Sequence, residues 1–200
     1  MESLRLNHRR QKKEAIIEAA VKVFAEKGFY NSKVTDVAKA AGIADGTIYL
    51  YFKNKDDLLI SLFESKMEQI LKHFNTHLRI KKDPIEKLSY FFELYFELIV
   101  ADENLSEVIQ VELRQSSKFL KDYRNQKFLD YLNIIAGIID EGKKQDFFRD
   151  DINTDIVKIM IFGAIDEVAR QWILGADTKY TLKQACQHVT AIIIDGLLKK

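Results

Sequence analysis

The sequence predicts an all-α protein of about nine helices, a small three-helix head followed by a larger helical body. Three observations lead there. Breakers are scarce: the 200 residues hold one proline, Pro84, and eight glycines. Apolar residues recur at steps of three and four, with no convincing strand among them. The residues between these stretches are helix caps and stops.

From Gln11 to Lys27, Ala15, Ile16, Ala19, Ala20, Val23 and Phe24 share one face, and Gly28 stands where a stop belongs. Ser32 is a candidate cap for a short helix from Lys33 to Ala41, ended by Gly42. A second short helix runs from Asp45 to Phe52. Asn54 caps a long one with Asp57 as capping-box partner, and its stripe is Leu59, Phe63, Met67, Ile70 and Phe74. Asp83-Pro84 signals a start, and Leu88, Phe92, Tyr95 and Ile99 line the helix after it. A shorter helix is expected from Asn104 to Arg114, then a long one opened by Ser117 and closed by Gly142. Asn153 or Thr154 begins the next, which ends near Gly175. Thr181 and Gln184 form a capping box for the last. The extreme N-terminus and the Gly142–Asp151 connection are charge-rich and poorly patterned.

Composition excludes several classes. No apolar run reaches membrane-spanning length. The basic N-terminus, "MESLRLNHRRQKKEA", is followed by no apolar core of a secretory signal. Cys186 stands alone, which fits a reducing cytoplasm and forbids an internal disulfide. The net charge of +1 conceals an asymmetry: residues 1–55 hold 11 Lys and Arg against 6 Asp and Glu, and the remainder 20 against 24. A basic head that meets a polyanion explains this, as does mere unevenness of solvated faces. His73 and His77 are four apart, a metal-compatible spacing, but no third ligand is near, so solvated histidines are expected and no metal site. No nucleophile elbow, P-loop or dinucleotide fingerprint occurs, and no enzyme is expected.

Residues 33–58 carry the strongest pattern. A helix-turn-helix needs a small residue where its helices cross, a turn residue that tolerates positive φ, and an apolar plug in the second helix. Ala38, Gly42 and Ile48 meet these needs, supported by Val34, Val37, Ala41, Ile43 and Phe52. On a helical wheel Ile48 and Phe52 point inward, while Gly46, Thr47 and Leu50 point out between flanking Tyr49 and Tyr51. That small, nearly uncharged face fits the major groove, where Leu50 and the Thr47 methyl can meet thymine methyls. Asp45 begins the helix. Tyr49, Tyr51, Lys53 and Lys55 are candidate phosphate contacts, as are Lys33 and Thr35 at the start of the first short helix. The expected division is a DNA-binding domain over 1–53 and a ligand-binding and dimerisation domain over 54–200.

"GFYNSKVTDVAKAAGIADGTIYLYFKNKDDLL" resembles the DNA-binding head of TetR-family transcriptional regulators, over roughly Ala15 to Leu59. Where that family often carries a hydroxyl-bearing cap, this chain has Ala44. The resemblance implies a homodimer formed through the last two helices, a palindromic DNA operator, and a ligand pocket in the body whose occupation releases DNA. "VELRQSS" at 111–117 and "MIFGAIDEVARQW" at 160–172 are similar to the TetR-type repressors of fatty-acid degradation, which respond to long-chain acyl-CoA. No cofactor is implied beyond such an effector.

In the body, Phe63, Met67, Phe92, Tyr95, Phe96, Ile109, Leu113, Tyr131, Ile135 and Phe162 are candidate walls of an apolar tunnel, or ordinary core. Arg114 is a candidate for a CoA phosphate or a partner for Glu112. Ile156 to Ile173 is apolar almost all round, so it is expected to be buried on two sides. Gly163, Val168 and Trp172, with Val189, Ile192 and Ile193 on the last helix, are the expected dimer interface. The rivals are a repressor of an efflux or other lipophile-response operon, and a ligand-independent architectural DNA binder.

Overall fold

The computed structural model describes residues 2–112, 126–175 and 179–199. Among them are nine α-helices: α1 Glu2–Lys27, α2 Val34–Ala40, α3 Asp45–Ile48, α4 Lys55–Leu78, α5 Pro84–Ala101, α6 Glu103–Glu107, α7 Gln126–Lys144, α8 Thr154–Ile173 and α9 Leu182–Leu197. α6 runs directly into a π-helical segment, Val108–Glu112. Among the described residues there is no strand beyond one isolated antiparallel bridge, Phe148 with Leu198. No described helix is long and apolar enough to cross a membrane.

The capping chemistry fixes most helix starts. The Asn54 carboxamide accepts from the Asp57 N–H at 2.8 Å, and Asp57 reaches back to the Lys53 N–H at 2.8 Å. Asp83 accepts from the Ile85 and Glu86 N–H groups ahead of Pro84. Asn153 accepts from Asp155 and Ile156. Thr181 and Gln184 bond each other's backbone N–H. Each satisfies donors that a helix leaves unpaired at its start.

Four local expectations need correction. α1 begins at Glu2, not near Gln11, so the poorly patterned N-terminus is helix. Ser32 does not cap α2: its hydroxyl donates to the Phe29 carbonyl at 2.8 Å, and Asp36 instead accepts from the Lys33 N–H at 2.8 Å. Regular α-helix in α3 stops at Ile48, and the chain reaches Phe52 through successive turns. Gly142 does not end α7, which continues to Lys144. A Cβ at Gly142 would lie 2.1 Å from the Phe148 ring, so that glycine marks a close approach. The expected start at Ser117 lies outside the described residues.

The chain forms two compact units. The first takes α1 to α3, the beginning of α4 as far as Lys66, and the segment resuming at Glu103. The second takes α4 from Met67, then α5, and α7 to α9. The sequence places the boundary after Lys53. The turns after it are held in the first unit: Leu58, Leu59 and Leu62 are buried, Lys66 pairs with Glu18, and the Ser65 hydroxyl donates to Glu14. In the first unit α1 packs on α2, on α6 and on the π-helical turn, around Ile16, Ile17, Ala20 and Phe24. In the second unit α5 is central, packed against α7, α8 and α9.

Candidate nucleic-acid interface and effector site

Two glycine-dependent turns build the first unit's exposed corner. Gly28 ends α1 at φ 78°, and Gly42 turns α2 into α3 at φ 66°, the left-handed region that side chains rarely adopt. Between α2 and α3 the Ile43 N–H donates to the Ala38 carbonyl at 3.0 Å. Val37, Ala38, Ile48 and Phe52 are all 2% exposed or less, so the crossing is packed where the spacing requires. Close crossing needs the small Ala38, and the buried Ile48 fixes which side of α3 faces out.

The outward side is the predicted one. Leu50 is 70% exposed and Tyr49 58%. Gly46 and Asp45 are exposed, and Thr47 and Tyr51 are half-buried. Lys33, Thr35 and Lys53 are exposed at the edges. Ala44 precedes α3 without a side-chain cap, leaving the Asp45 end of the helix without local hydroxyl partners. A low, weakly charged ridge bordered by hydroxyls and ammoniums fits base edges in its middle and phosphates at its rim.

Lys55 departs from its expected role. Its ammonium donates to the carbonyls of Phe29 at 2.6 Å, Ser32 at 2.9 Å and Tyr30 at 3.2 Å. It also lies 4.6 Å from the Phe29 ring centroid. All three N–H groups are committed inside the protein. Lys55 therefore ties the α1–α2 turn to the start of α4 and is not a free phosphate anchor. Burial pushes its pKa down, opposed by Asp56. Asp36 is the complementary device: the Lys27 ammonium at 2.8 Å and the Lys33 N–H hold its carboxyl below the usual range.

The candidate effector residues divide between the units. Phe63 and Ile109 belong to the first, with Phe63 buried and Ile109 half-buried. Met67, Phe92, Tyr95, Phe96, Tyr131 and Ile135 are buried in the second, and Phe162 is half-buried there. Leu113 and Arg114 lie outside the described residues. Two side chains missing from the expected effector residues join the cluster. Phe74 sits 4.9 Å from Phe91 and 5.3 Å from Tyr131, and Phe91 sits 5.5 Å from Tyr131. Phe74 had a signal in its stripe position on α4. Phe91 had none to distinguish it from its neighbours. Tyr131 also meets Phe162 at 6.4 Å, and Phe162 stacks edge-on with Phe128 at 4.9 Å. Burial pushes the Tyr131 phenol far above its ordinary pKa. Its hydroxyl makes no hydrogen bond to a described residue.

α8 presents a second unclaimed surface. Ile156, Ile159, Met160 and Leu174 are 59, 53, 65 and 48% exposed. They fall on one helical stripe with Gly163, beside which a Cβ would meet nothing within 4 Å. On α9, Ile192 is 72% exposed. Val168, Trp172, Val189 and Ile193 are half-buried within the single chain. Within the single chain α8 is therefore covered on one side, and its other apolar side is open. On α4 the His73 and His77 rings stack at 4.1 Å, and His77 Nδ1 bonds the His73 carbonyl. Among the described residues no three His, Cys, Asp or Glu side chains form a metal-binding group.

Comparison with known proteins accords with this arrangement. Residues 16–62 match the model for bacterial regulatory proteins of the tetR family, and residues 63–196 match that for the C-terminal region of YsiA-like proteins. The fatty acid metabolism regulator protein of Bacillus subtilis is 40% identical over 195 residues, covering 98% of this chain and 100% of that protein. The crystal structure of the Bacillus subtilis regulator FadR in complex with stearoyl-CoA superposes with a TM-score of 0.85 at 41% identity, covering 92% of this chain and 98% of that one. The fatty acid degradation regulator FadR of Bacillus halodurans gives 0.84 at 40% identity, covering 92% of this chain and 98% of that one.

Proposed function

The chain belongs to the TetR family of bacterial regulatory proteins, and from that premise we propose that it is a homodimeric repressor of fatty-acid degradation genes, released from its operator by long-chain acyl-CoA. It is a transcriptional regulator of fatty-acid metabolism, not an enzyme. The finer reading rests on the Tyr131 site. An aromatic wall suits an acyl chain, and the Tyr131 hydroxyl, which bonds no described residue, suits the one polar group such a chain carries at its head. The stearoyl-CoA held by a relative 41% identical supports the same ligand class here.

The α8 stripe supports dimerisation. Four large apolar side chains beside a glycine form the kind of patch that covers itself in a second copy. Two linked heads then reach two half-sites on one face of the duplex. Release requires that acyl-CoA bind the DNA-free state more tightly than the DNA-bound state, since equal affinity shifts nothing. The residues expected to carry affinity are Lys33, Thr35, Tyr49, Tyr51 and Lys53 on phosphates, with Gly46, Thr47 and Leu50 on base edges and Asp45 at the start of α3.

The test is a titration of promoter DNA from fatty-acid degradation genes with and without oleoyl-CoA, preceded by native mass spectrometry of the purified protein. The expected result is a dimer mass, an acyl-CoA adduct, and weaker DNA binding as oleoyl-CoA is added. DNA affinity indifferent to acyl-CoA would reject the effector while leaving the DNA-reading head intact. A folded Tyr49→Ala variant that binds DNA as well as the wild type would reject the docking.

A further inference from the structure

The N-terminal turns of α1 are helix where the sequence shows no apolar pattern, and that raises the question of what the helix is for. From Ile16 to Phe24 one face of α1 is buried in the head. Two turns earlier the same face carries Arg9 and Lys13, at the four-residue steps that keep side chains in line. Arg9 Cζ lies 6.0 Å from the Tyr51 ring centroid, and Lys13 Nζ lies 5.6 Å from that of Phe52. Both rings close the α3 unit. His8, Arg9, Arg10, Lys12 and Lys13 are all exposed, and none forms an ion pair with a described residue. The acidic residues Glu14 and Glu18 are turned to Ser65 and Lys66. Like charges four apart weaken an isolated helix, so this face is unfavourable until an anion meets it.

We propose that Arg9 and Lys13 form a second DNA-backbone grip, seated on phosphates that flank the base pairs under Thr47 and Leu50. The surface is continuous with the reading face through Tyr51, and its charge is complementary to a phosphate row. Both side chains are long, flexible cations set to one side of the reading ridge. They position the head and add affinity without choosing sequence. Tyr51 serves both sides, its hydroxyl edge toward DNA and its ring under the Arg9 guanidinium. The inference rests on the head being a DNA reader.

The test compares Arg9→Gln/Lys13→Gln with Arg10→Gln/Lys12→Gln, a pair with the same loss of charge on other sides of the helix. Glutamine keeps much of each stem and so much of its packing. Binding to a mixed-sequence duplex of about 30 base pairs is followed by fluorescence anisotropy across salt, where affinity is nearly all phosphate contact. For Arg9→Gln/Lys13→Gln, the loss of affinity between about 50 and about 200 mM salt should shrink by about threefold for each phosphate contact removed. The control pair should change the salt slope by much less. Equal slopes for both pairs would mean a diffuse field and overturn the assignment, as would an unchanged slope for the first pair. Should the first pair lower the melting temperature, the single variant Arg9→Lys decides: a phosphate contact keeps the wild-type slope, and a slope as shallow as that of Arg9→Gln overturns the proposal. A wild-type protein that binds no duplex at any salt would instead refute the DNA-reading head itself.

Discussion

The two units use the same residue types in opposite ways. The head buries Ile16, Ile17, Phe24, Ile48 and Phe52 in its core and exposes Tyr49 and Leu50 on its working face. The body buries its aromatic residues, among them Phe74, Phe91, Phe92 and Tyr131, and its candidate working face is inside. A head residue is thus recognisable by standing out where an apolar side chain should not. A body residue that touches ligand and one that merely fills space are both buried aromatics. Function is written as a contradiction of burial in one unit and in agreement with burial in the other.

Lys55→Met should break the comparison most. It leaves three carbonyls of the α1–α2 turn without their donor, and the head should lose about 3 kcal/mol. Hydrogen exchange should show α2 and α3 opening while α5 and α7 stay protected. DNA binding would fall with it, though Lys55 need touch no phosphate. Gly142→Ala is the counterpart in the body. The added methyl has no room beside Phe148, and a cost of about 2 kcal/mol is expected there by thermal denaturation, with DNA binding of the folded fraction retained.

Tyr131→Phe sharpens the contrast within the body. Removing the hydroxyl takes away no hydrogen bond to a described residue, so the ligand-free protein should be about as stable as the wild type. Oleoyl-CoA binding, read by calorimetry, should weaken by about 1 kcal/mol if that hydroxyl meets the ligand. A variant with unchanged affinity would return Tyr131 to the core. The smallest expected effect is a pH dependence in the head. The Asp36 carboxyl is held below its usual pKa near 3.8 by Lys27 and the Lys33 N–H. A depressed acid stabilises the folded state above its unfolded pKa, and that contribution is lost as pH falls through the folded value. Acid unfolding of the head should therefore begin at higher pH, and run flatter below pH 4, in Asp36→Asn than in the wild type.

Most of the fold was legible because its stops and starts have local causes. Asn54 with Asp57, Asp83 with Pro84, Asn153, and Thr181 with Gln184 each act within four residues. The misreadings are tertiary. Ser32 looked like a cap and bonds backward. Gly142 looked like a stop and makes room for Phe148. Lys55 looked like a DNA anchor because its three carbonyl partners lie more than twenty residues away. The opening turns of α1 have no apolar face to reveal them, since their face is cationic. The reading ridge was legible because Ala38, Gly42 and Ile48 constrain one another closely in sequence. Phe91 was not, because nothing local separates it from Phe92.

The bridge between Phe148 and Leu198 bears on how the body opens. The last turn of a helix frays at little cost unless something ties it down. Here the Lys199 N–H donates to the Phe147 carbonyl at 3.0 Å and the Arg149 N–H to the Leu197 carbonyl at 2.9 Å. The Lys199 ammonium pairs with Asp146. The clasp ties the last turn of α9 to the connection between α7 and α8. Its backbone hydrogen bonds must open before that end of α9 can be drawn away, so the turn should exchange its amide hydrogens late rather than fray.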